Sequence, residues 1–334
     1  MLINVETVGK DFIIYKREKG FVNSIKNFIN RKKEIKRAVH DLNFSIKSGD
    51  IIGYIGPNGA GKSTTIKMMS GILTPTTGKI LLDGIEPYNN RRKIAHKIGV
   101  VFGQRTQLQW DLPVIDSFEL MKEIYSIPKE KYEMRYKELI ELFDMKEFIE
   151  IPVRQLSLGQ RMRADIALSL LHDPDILFLD EPTIGLDATA KEVIRLQIQR
   201  LADNKNKIVI LTSHDMEDVE TVCNRIIYID KGEKYFDGSV EEFKKNYNQL
   251  RFINFVFEDK VDGSFIPKLQ NVSIEKISGS SLTLSFDREK AKVKDILEII
   301  NQNFLIKDFW VEDEKIDDVV RRAYRLEKNN GNKF

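Results

Sequence analysis

The stretch GPNGAGKS, Gly56 to Ser63, comes directly after the apolar run IIGYI and directly before STTIKMM. Few short sequences limit a fold as much. Glycines at these spacings let the backbone curl until several N–H groups point inward, a concavity that suits phosphate oxygens. A helix beginning at its end adds a field that favours anions. Such a loop needs a strand to deliver it and a helix to follow, so the chain around it must be built of βα units. The backbone of Gly56, Pro57, Asn58, Gly59, Ala60, Gly61, Lys62, Ser63 and Thr64 is expected to cradle a nucleotide's phosphates. Lys62 would reach the β- and γ-phosphates and the Ser63 hydroxyl would ligate Mg²⁺.

The rest of the chain agrees with an α/β class. GKILLDG and KIGVVFGQ read as strands, whereas Asp116 to Phe148 carries apolar residues at helical spacing. PDILFLDEP and NKIVILTSHD are short and wholly apolar before their polar ends, as strands buried on both faces of a parallel sheet should be. From about Asn246 the texture changes. LRFINFVFE, VSIEKISG and SLTLSFD read as strands with ISGSS as a hairpin turn; KVKDILEIINQN, IKDFWVED and KIDDVVRRAYR follow as helix, strand and helix. That order suggests a small α+β unit, ferredoxin-like in type, over 246–334, with a disordered tail LEKNNGNKF.

Open α/β sheets bind ligands beyond the carboxyl ends of their strands, so polar residues there are candidates for chemistry. Asp180 and Glu181 end ILFLDE. Asp180 would hold Mg²⁺, directly or through water, and Glu181 would polarise the water that attacks the γ-phosphate. His214 ends the next strand, placed to contact the γ-phosphate and orient Glu181 or the water. Gln104 ends KIGVVFGQ and could offer its amide oxygen to Mg²⁺ or that water. A second anion-holding turn lies farther on: in LSLGQ, Ser157 and Gln160 have the spacing of a capping box opening a helix.

Composition excludes some classes. A formal net charge of +2 over 334 residues gives no global pull toward nucleic acid. One cysteine, Cys223, rules out an internal disulfide framework and reads as a small buried hydrophobe on a helix. The start, MLINVETVGKDF, lacks the apolar core of a signal peptide, and no run reaches the ~20 residues of a membrane span.

In order, these motifs closely resemble the ATPase subunit of ATP-binding cassette (ABC) transporters. The set comprises the phosphate loop (Walker A), Gln104, LSLGQ, ILFLDE, GLD at Gly185–Asp187, and His214. The resemblance covers roughly residues 1–245. It implies a P-loop NTPase cassette with a helical subdomain over about 105–170, hydrolysing ATP with Mg²⁺. It also implies that Ser157, Gly159 and Gln160 face the γ-phosphate held by a second subunit, with Asp187 across the same interface. A homodimer is permitted by the single intact set of motifs. Leu158 departs from the glycine commonest at that place in the family. Phe12, or else Tyr15, lies where the family puts an aromatic beneath adenine.

The segment VFGQRTQLQWDLP and the signature LSLGQRMR resemble cassettes paired with export-class permeases, including the viologen and multidrug exporter-like group. The implied partners are separate membrane-spanning permeases, at the cytoplasmic face of the membrane, with no nucleic acid. Trp110 and Leu112 are candidates for lining a permease groove, or else for internal packing. Lys16 to Arg37 places Phe21, Val22, Ile25, Phe28 and Ile29 at helical spacing among lysines and arginines. It reads either as a basic amphipathic helix on the inner leaflet or as a hairpin packed on its own domain. An importer ATPase, or a non-transport cassette acting on ribosomes or DNA, is the alternative.

Overall fold

The computed structural model describes residues 1–15, 33–103, 105–202, 207–213, 215–247, 250–261 and 270–314. The chain separates into two compact units, Met1–Val240 and Glu241–Lys333.

The larger sheet of the first unit has the order β5 (Ile98–Phe102), β6 (Ile176–Asp180), β7 (Ile208–Thr212), β3 (Ile51–Ile55), β8 (Arg225–Asp230) and β9 (Glu233–Ser239). All pairs are parallel except the β8–β9 hairpin. In β6 and β7 every residue is buried except Asp180. The apolar runs are therefore continuous rather than alternating, as befits strands covered on both faces. Helix α1 (Lys62–Met69) follows β3, α6 (Ala188–Ala202) carries the chain from β6 to β7, and α7 (Met216–Val222) leads on to β8.

A smaller antiparallel sheet, in the order β2 (Lys33–Lys47), β1 (Leu2–Tyr15), β4 (Thr77–Leu82), closes over one side. Its Ile3, Val5, Leu42 and Ile46 share one core with Ile52, Ile66, Phe178 and Ile210 of the larger sheet and α1. Lys33 to Arg37 belong to β2 and pair with Asp11 to Tyr15, so the helical reading of the basic stretch does not extend to Arg37. Its apolar residues from Phe21 to Ile29 lie outside the described residues.

A short helix α2 (Arg91–Ala95) precedes β5, and a helical region then holds α3 (Val114–Ile124), α4 (Lys129–Leu142), a 3₁₀ turn at Val153–Gln155 and α5 (Leu158–Ser169). The single helical stretch expected from Asp116 to Phe148 is interrupted. Ser126 takes a left-handed φ of 52°, and Pro128, lacking an N–H, caps the next helix instead of continuing the last. Asp144 turns left-handed again at φ 46°, just beyond the end of α4.

In the second unit β10 (Leu250–Phe257), β11 (Val272–Ser278), β12 (Ser281–Asp287) and β13 (Ile306–Asp313) form an antiparallel sheet in the order β11-β12-β10-β13. That is the strand order of a ferredoxin-like sheet. Gly279 (φ 61°) and Ser280 make the β11–β12 turn. Ile253, Phe255, Phe257, Leu282, Leu284 and Phe286 lie on the buried side with Ile296 and Ile300 of α8 (Val293–Asn301). The helix expected over KIDDVVRRAYR and the tail lie outside the described residues. Among the described residues no helix is long and apolar enough to cross a membrane.

The helical region meets the larger sheet at His172, just past α5. Its Nε2 lies 3.0 Å from the Ile98 carbonyl oxygen, and its ring stacks on Tyr125 at 4.0 Å and 7°. Burial lowers its pKa to about 4, with the Ile98 carbonyl opposing. An unfolded chain protonates this ring near pH 6.5 whereas the folded one resists until about pH 4, so stability present above pH 6.5 is lost as pH falls through that window. The difference amounts to about 3 kcal/mol at most. Urea melts of His172→Gln are expected to show a flatter acid limb between pH 6.5 and 4.5 than the parent; equally steep limbs would contradict this assignment.

Candidate active site

Parallel register sets the site. Asp180 is opposite both Phe102 of β5 and Thr212 of β7, so these strands end at one level. From β3 the chain enters the glycine loop, which bends into α1 at Gly61 (φ 105°). A side chain at Gly61 would be strained, and its Cβ would stand 2.7 Å from the Ala38 carbonyl oxygen of β2. The loop is also held from the β8–β9 turn, where the Gly232 N–H donates to Ala60 O at 2.9 Å.

No side chain caps the first N–H groups of α1. Lys62 is buried, its ammonium donating to the carbonyls of Gly56 (2.6 Å) and Pro57 (3.2 Å). Asp180 Oδ1 accepts from Ser63 Oγ at 3.2 Å and from Thr212 Oγ1 at 2.7 Å. A hydroxyl beside a carboxylate, both hard oxygen donors, suits the coordination preferences of Mg²⁺ carried in by phosphates.

Glu181 stands one residue beyond the sheet in a left-handed conformation, φ 55°. Such a geometry in a residue with a side chain costs on the order of 1 kcal/mol or more and persists only where neighbours impose it. Here its N–H donates to the Thr212 carbonyl at 3.1 Å and to the Thr212 hydroxyl at 2.9 Å. Thr212 thus aligns both acids, and nothing in the sequence singled it out. Its only signal is the polar end of IVILT. Gly103 presses against this turn: its N–H donates to Asp180 O at 2.8 Å, and a Cβ there would come 2.4 Å from Glu181 O. Gln104 and His214 lie outside the described residues.

The second anion-holding turn is formed as its spacing suggested. Ser157 Oγ accepts from the Gln160 N–H at 3.2 Å, and Gln160 Oε1 accepts from the Ser157 N–H at 2.9 Å, capping α5. The serine oxygen is engaged as an acceptor, leaving its proton able to serve an outside anion. Asp187 caps α6, accepting from the Ala190 N–H at 2.8 Å. The two turns sit side by side. A Cβ on Gly159 would lie 3.0 Å from Ala190 Cβ, and one on Gly185 would lie 3.3 Å from Leu158 Cδ2. Both Ser157 and Asp187 are exposed on this surface.

Other expected residues fall as follows. Phe12 is half-buried in β1, paired with Lys36, with Lys10 Nζ 5.4 Å from its ring centre. Trp110 carries the Arg161 guanidinium 5.6 Å from its ring and is half-exposed. Cys223 is buried, just past the end of α7 rather than within it, and burial raises its thiol pKa. Asp165 of α5, also missed by sequence reasoning, accepts from Thr106 Oγ1 (3.0 Å) and the Gln107 N–H (2.9 Å), holding the segment after Gln104 to the signature helix. Burial raises its carboxyl pKa to about 6 against these hydrogen bonds.

Residues 39–184 match the ABC transporter family model. The ABC transporter ATP-binding protein NatA of Bacillus subtilis is 32% identical over 230 residues, which cover 69% of this chain and 93% of that protein. The chain belongs to the ATP-binding cassette family. Within the family, the Methionine import ATP-binding protein MetN 2 of Enterococcus faecalis is 33% identical, covering 79% of this chain and 78% of that one. A Nod factor export ATP-binding protein I of Cupriavidus metallidurans is 36% identical, covering 61% and 67%. Among solved structures, a dimeric post-hydrolysis state of the cassette MJ0796 with ADP and Pi superimposes with a TM-score of 0.59 at 27% identity, covering 71% of this chain and 98% of that one. The mixed α/β fold is that of the cassette, and the protein is an ATP-binding, ATP-hydrolysing subunit of an ABC transporter.

Thr212 gives this site a direct test. Thr212→Val keeps the β-branched shape but deletes the hydroxyl shared by Asp180 and the Glu181 N–H. Steady-state ATPase assays should show kcat reduced about 10- to 100-fold, the scale of a misplaced general base. Turnover at the parental rate would mean that the hydroxyl does not align the acids.

Proposed function

We propose that two copies of this cassette dock head to tail around two ATP molecules and drive export through separate membrane-spanning permeases. The observation that carries this reading is the adjacent, exposed pair formed by the Ser157 turn and Asp187, set on an element other than the glycine loop. One chain then offers its loop to its own nucleotide and its serine-led helix to the nucleotide of the other. The dimeric state of the MJ0796 cassette, bound to ADP and Pi, supports the pairing of two cassettes.

In this reading, Lys62 and the loop N–H groups would bind the phosphates, Ser63 and Asp180 would hold Mg²⁺ with Gln104 a further candidate ligand, and Phe12 would lie beneath adenine. Glu181, fixed by Thr212, aligns the attacking water, with His214 and Gln104 beside it. When bound, Mg²⁺ supplies charge neutralisation at the phosphates. Catalysis rests on position and preorganised charge rather than covalent chemistry.

A groove of about 350 Å³ between the sheet and the helical region supports docking of a permease segment. Its walls include Ile72, Ala95, Val100, Gln107, Met121 and Tyr125, while Trp110 and Leu112 lie outside them. Export rather than import is favoured by the Nod factor export relatives and by the RTQLQWDLP segment. The import reading is favoured by MetN 2, whose similarity spans more of this chain, 79% against 61%. We assign residues 1–245 to the cassette and 246–334 to an accessory regulatory unit, with the protein at the cytoplasmic membrane face. The basic 16–37 segment would contact the inner leaflet.

The reciprocal site is tested by mixing. Lys62→Ala and Ser157→Glu should each be nearly inactive alone, because neither homodimer keeps a whole pocket. Their equimolar mixture should recover about a quarter of parental turnover, since half the dimers are mixed and each has one intact site. Vigorous activity from either variant alone would overturn the head-to-tail reading. Glu181→Gln should bind ATP but turn over at least ~100-fold more slowly, accumulating a dimer seen by size-exclusion chromatography. Normal turnover would remove Glu181 from its role.

A further inference from the structure

Behind the acids lies a buried polar cluster that the phosphate chemistry does not itself use. Asp218, on α7, is about 1% exposed. Its Oδ2 accepts from the hydroxyls of Thr183 (2.5 Å) and Ser213 (2.7 Å), and its Oδ1 accepts from Arg195 Nε at 2.6 Å. The Arg195 guanidinium, itself buried, also reaches Glu217 (3.0 Å) and Asp215 (3.5 Å). Lys191 pairs with Asp215 at 2.7 Å, and the Asp215 N–H donates to Ser213 Oγ at 2.9 Å.

The donors come from three separate segments. Thr183 is two residues past Glu181, in a turn closed by the Ile184 N–H on Glu181 O. Ser213 follows β7 and the Thr212 that fixes Glu181. Arg195 is two turns along α6 from Asp187, its N-terminal cap. One carboxylate therefore joins the segments carrying the acid that aligns water, the end of β7 and the helix headed by Asp187.

We propose that Asp218 is a positioning residue for ATP hydrolysis, setting Glu181 and Asp187 relative to the end of β7, with the Arg195 guanidinium paired to its carboxylate. This rests on the reading of Glu181 and Asp187 given above. Stability alone gives little reason for the arrangement, because a buried ion pair can often be replaced by apolar residues without loss. An apolar pair cannot accept two hydroxyl hydrogen bonds in fixed directions. Small displacements of a reacting group cost large factors in rate while leaving nucleotide contacts intact.

The test removes the hydroxyls and leaves the ion pair in place. In the full-length protein, Thr183→Val and Ser213→Ala, singly and combined, are assayed at 25 °C for kcat, KM for ATP and Tm. The combined variant is expected to lose about tenfold in kcat with KM for ATP within threefold of the parent. Thr183→Ser and Ser213→Thr, which restore a hydroxyl, should recover most of kcat. A second arm replaces the pair by Arg195→Met with Asp218→Leu, which should show the same kcat loss with KM for ATP within threefold of the parent. The proposal is overturned if the combined hydroxyl variant keeps kcat within twofold, or if the conservative variants fail to recover it. Glu181→Gln is run alongside: parental turnover from that variant would remove the reading on which the proposal rests, whereas a slow Glu181→Gln beside unaffected hydroxyl variants would remove the Asp218 proposal alone.

Discussion

The hydroxyl of Thr212 is the interaction on which the site depends. β6 and β7 end in register, so Thr212 is placed directly opposite Asp180. From there its oxygen donates to the Asp180 carboxylate and accepts from the Glu181 N–H, while its carbonyl takes the same N–H in a bifurcated bond. Those bonds hold Glu181 in a left-handed turn that its own backbone does not favour. The two neighbouring acids are thereby divided. Asp180 stays at the sheet edge beside Ser63, and Glu181 is turned out of the strand direction. Had the chain continued extended, alternation would place the two side chains on opposite faces of the sheet, with no reason for both to serve one site.

The same turn is pressed on from the neighbouring strand. Gly103 donates to Asp180 O and leaves no room for a Cβ against Glu181 O. Asp165 then holds the following residues, Thr106 and Gln107, to α5, whose first turn is capped by Ser157 and Gln160. Hydrogen bonds thus hold Gly103 to the end of β6 and, farther on, Thr106 and Gln107 to α5.

Much of this was legible because it is local. The glycine loop, the capping box and the apolar strands each lie within about a dozen consecutive residues, and the strands of the second unit are marked by their own β-rich runs and one hairpin turn. What escaped was long-range or disguised. Thr212 closes the run IVILT, where a threonine reads as an ordinary β-branched strand residue. Asp218 meets Thr183 and Arg195 across 35 and 23 residues, a pairing no spacing rule predicts. The break in the helical region was overlooked because the apolar spacing on either side continues through it. Ser126 and Pro128 stop the helix through backbone geometry, to which hydrophobic periodicity is blind.

Lys62 shows how the loop can bind tightly yet remain selective for phosphate. Its ammonium is already served by two carbonyls of the loop itself, so the buried charge is stabilised by the same backbone that binds ligand. A phosphate oxygen offers the ammonium a charged acceptor, and such bonds are roughly twice as strong as those to neutral groups. A neutral ligand would replace one neutral acceptor by another and gain little. Discrimination for anions therefore resides in the exchange of carbonyl for phosphate at a single nitrogen. The uncapped N–H groups of α1 reinforce it, whereas α5 has its first N–H groups served by its own serine and glutamine. The two helix starts are thus unlike in a way that fits their positions. In the proposed dimer, one would take its ligand into an open backbone cradle, and the other would present a capped, already ordered turn to a phosphate across the interface with little further ordering.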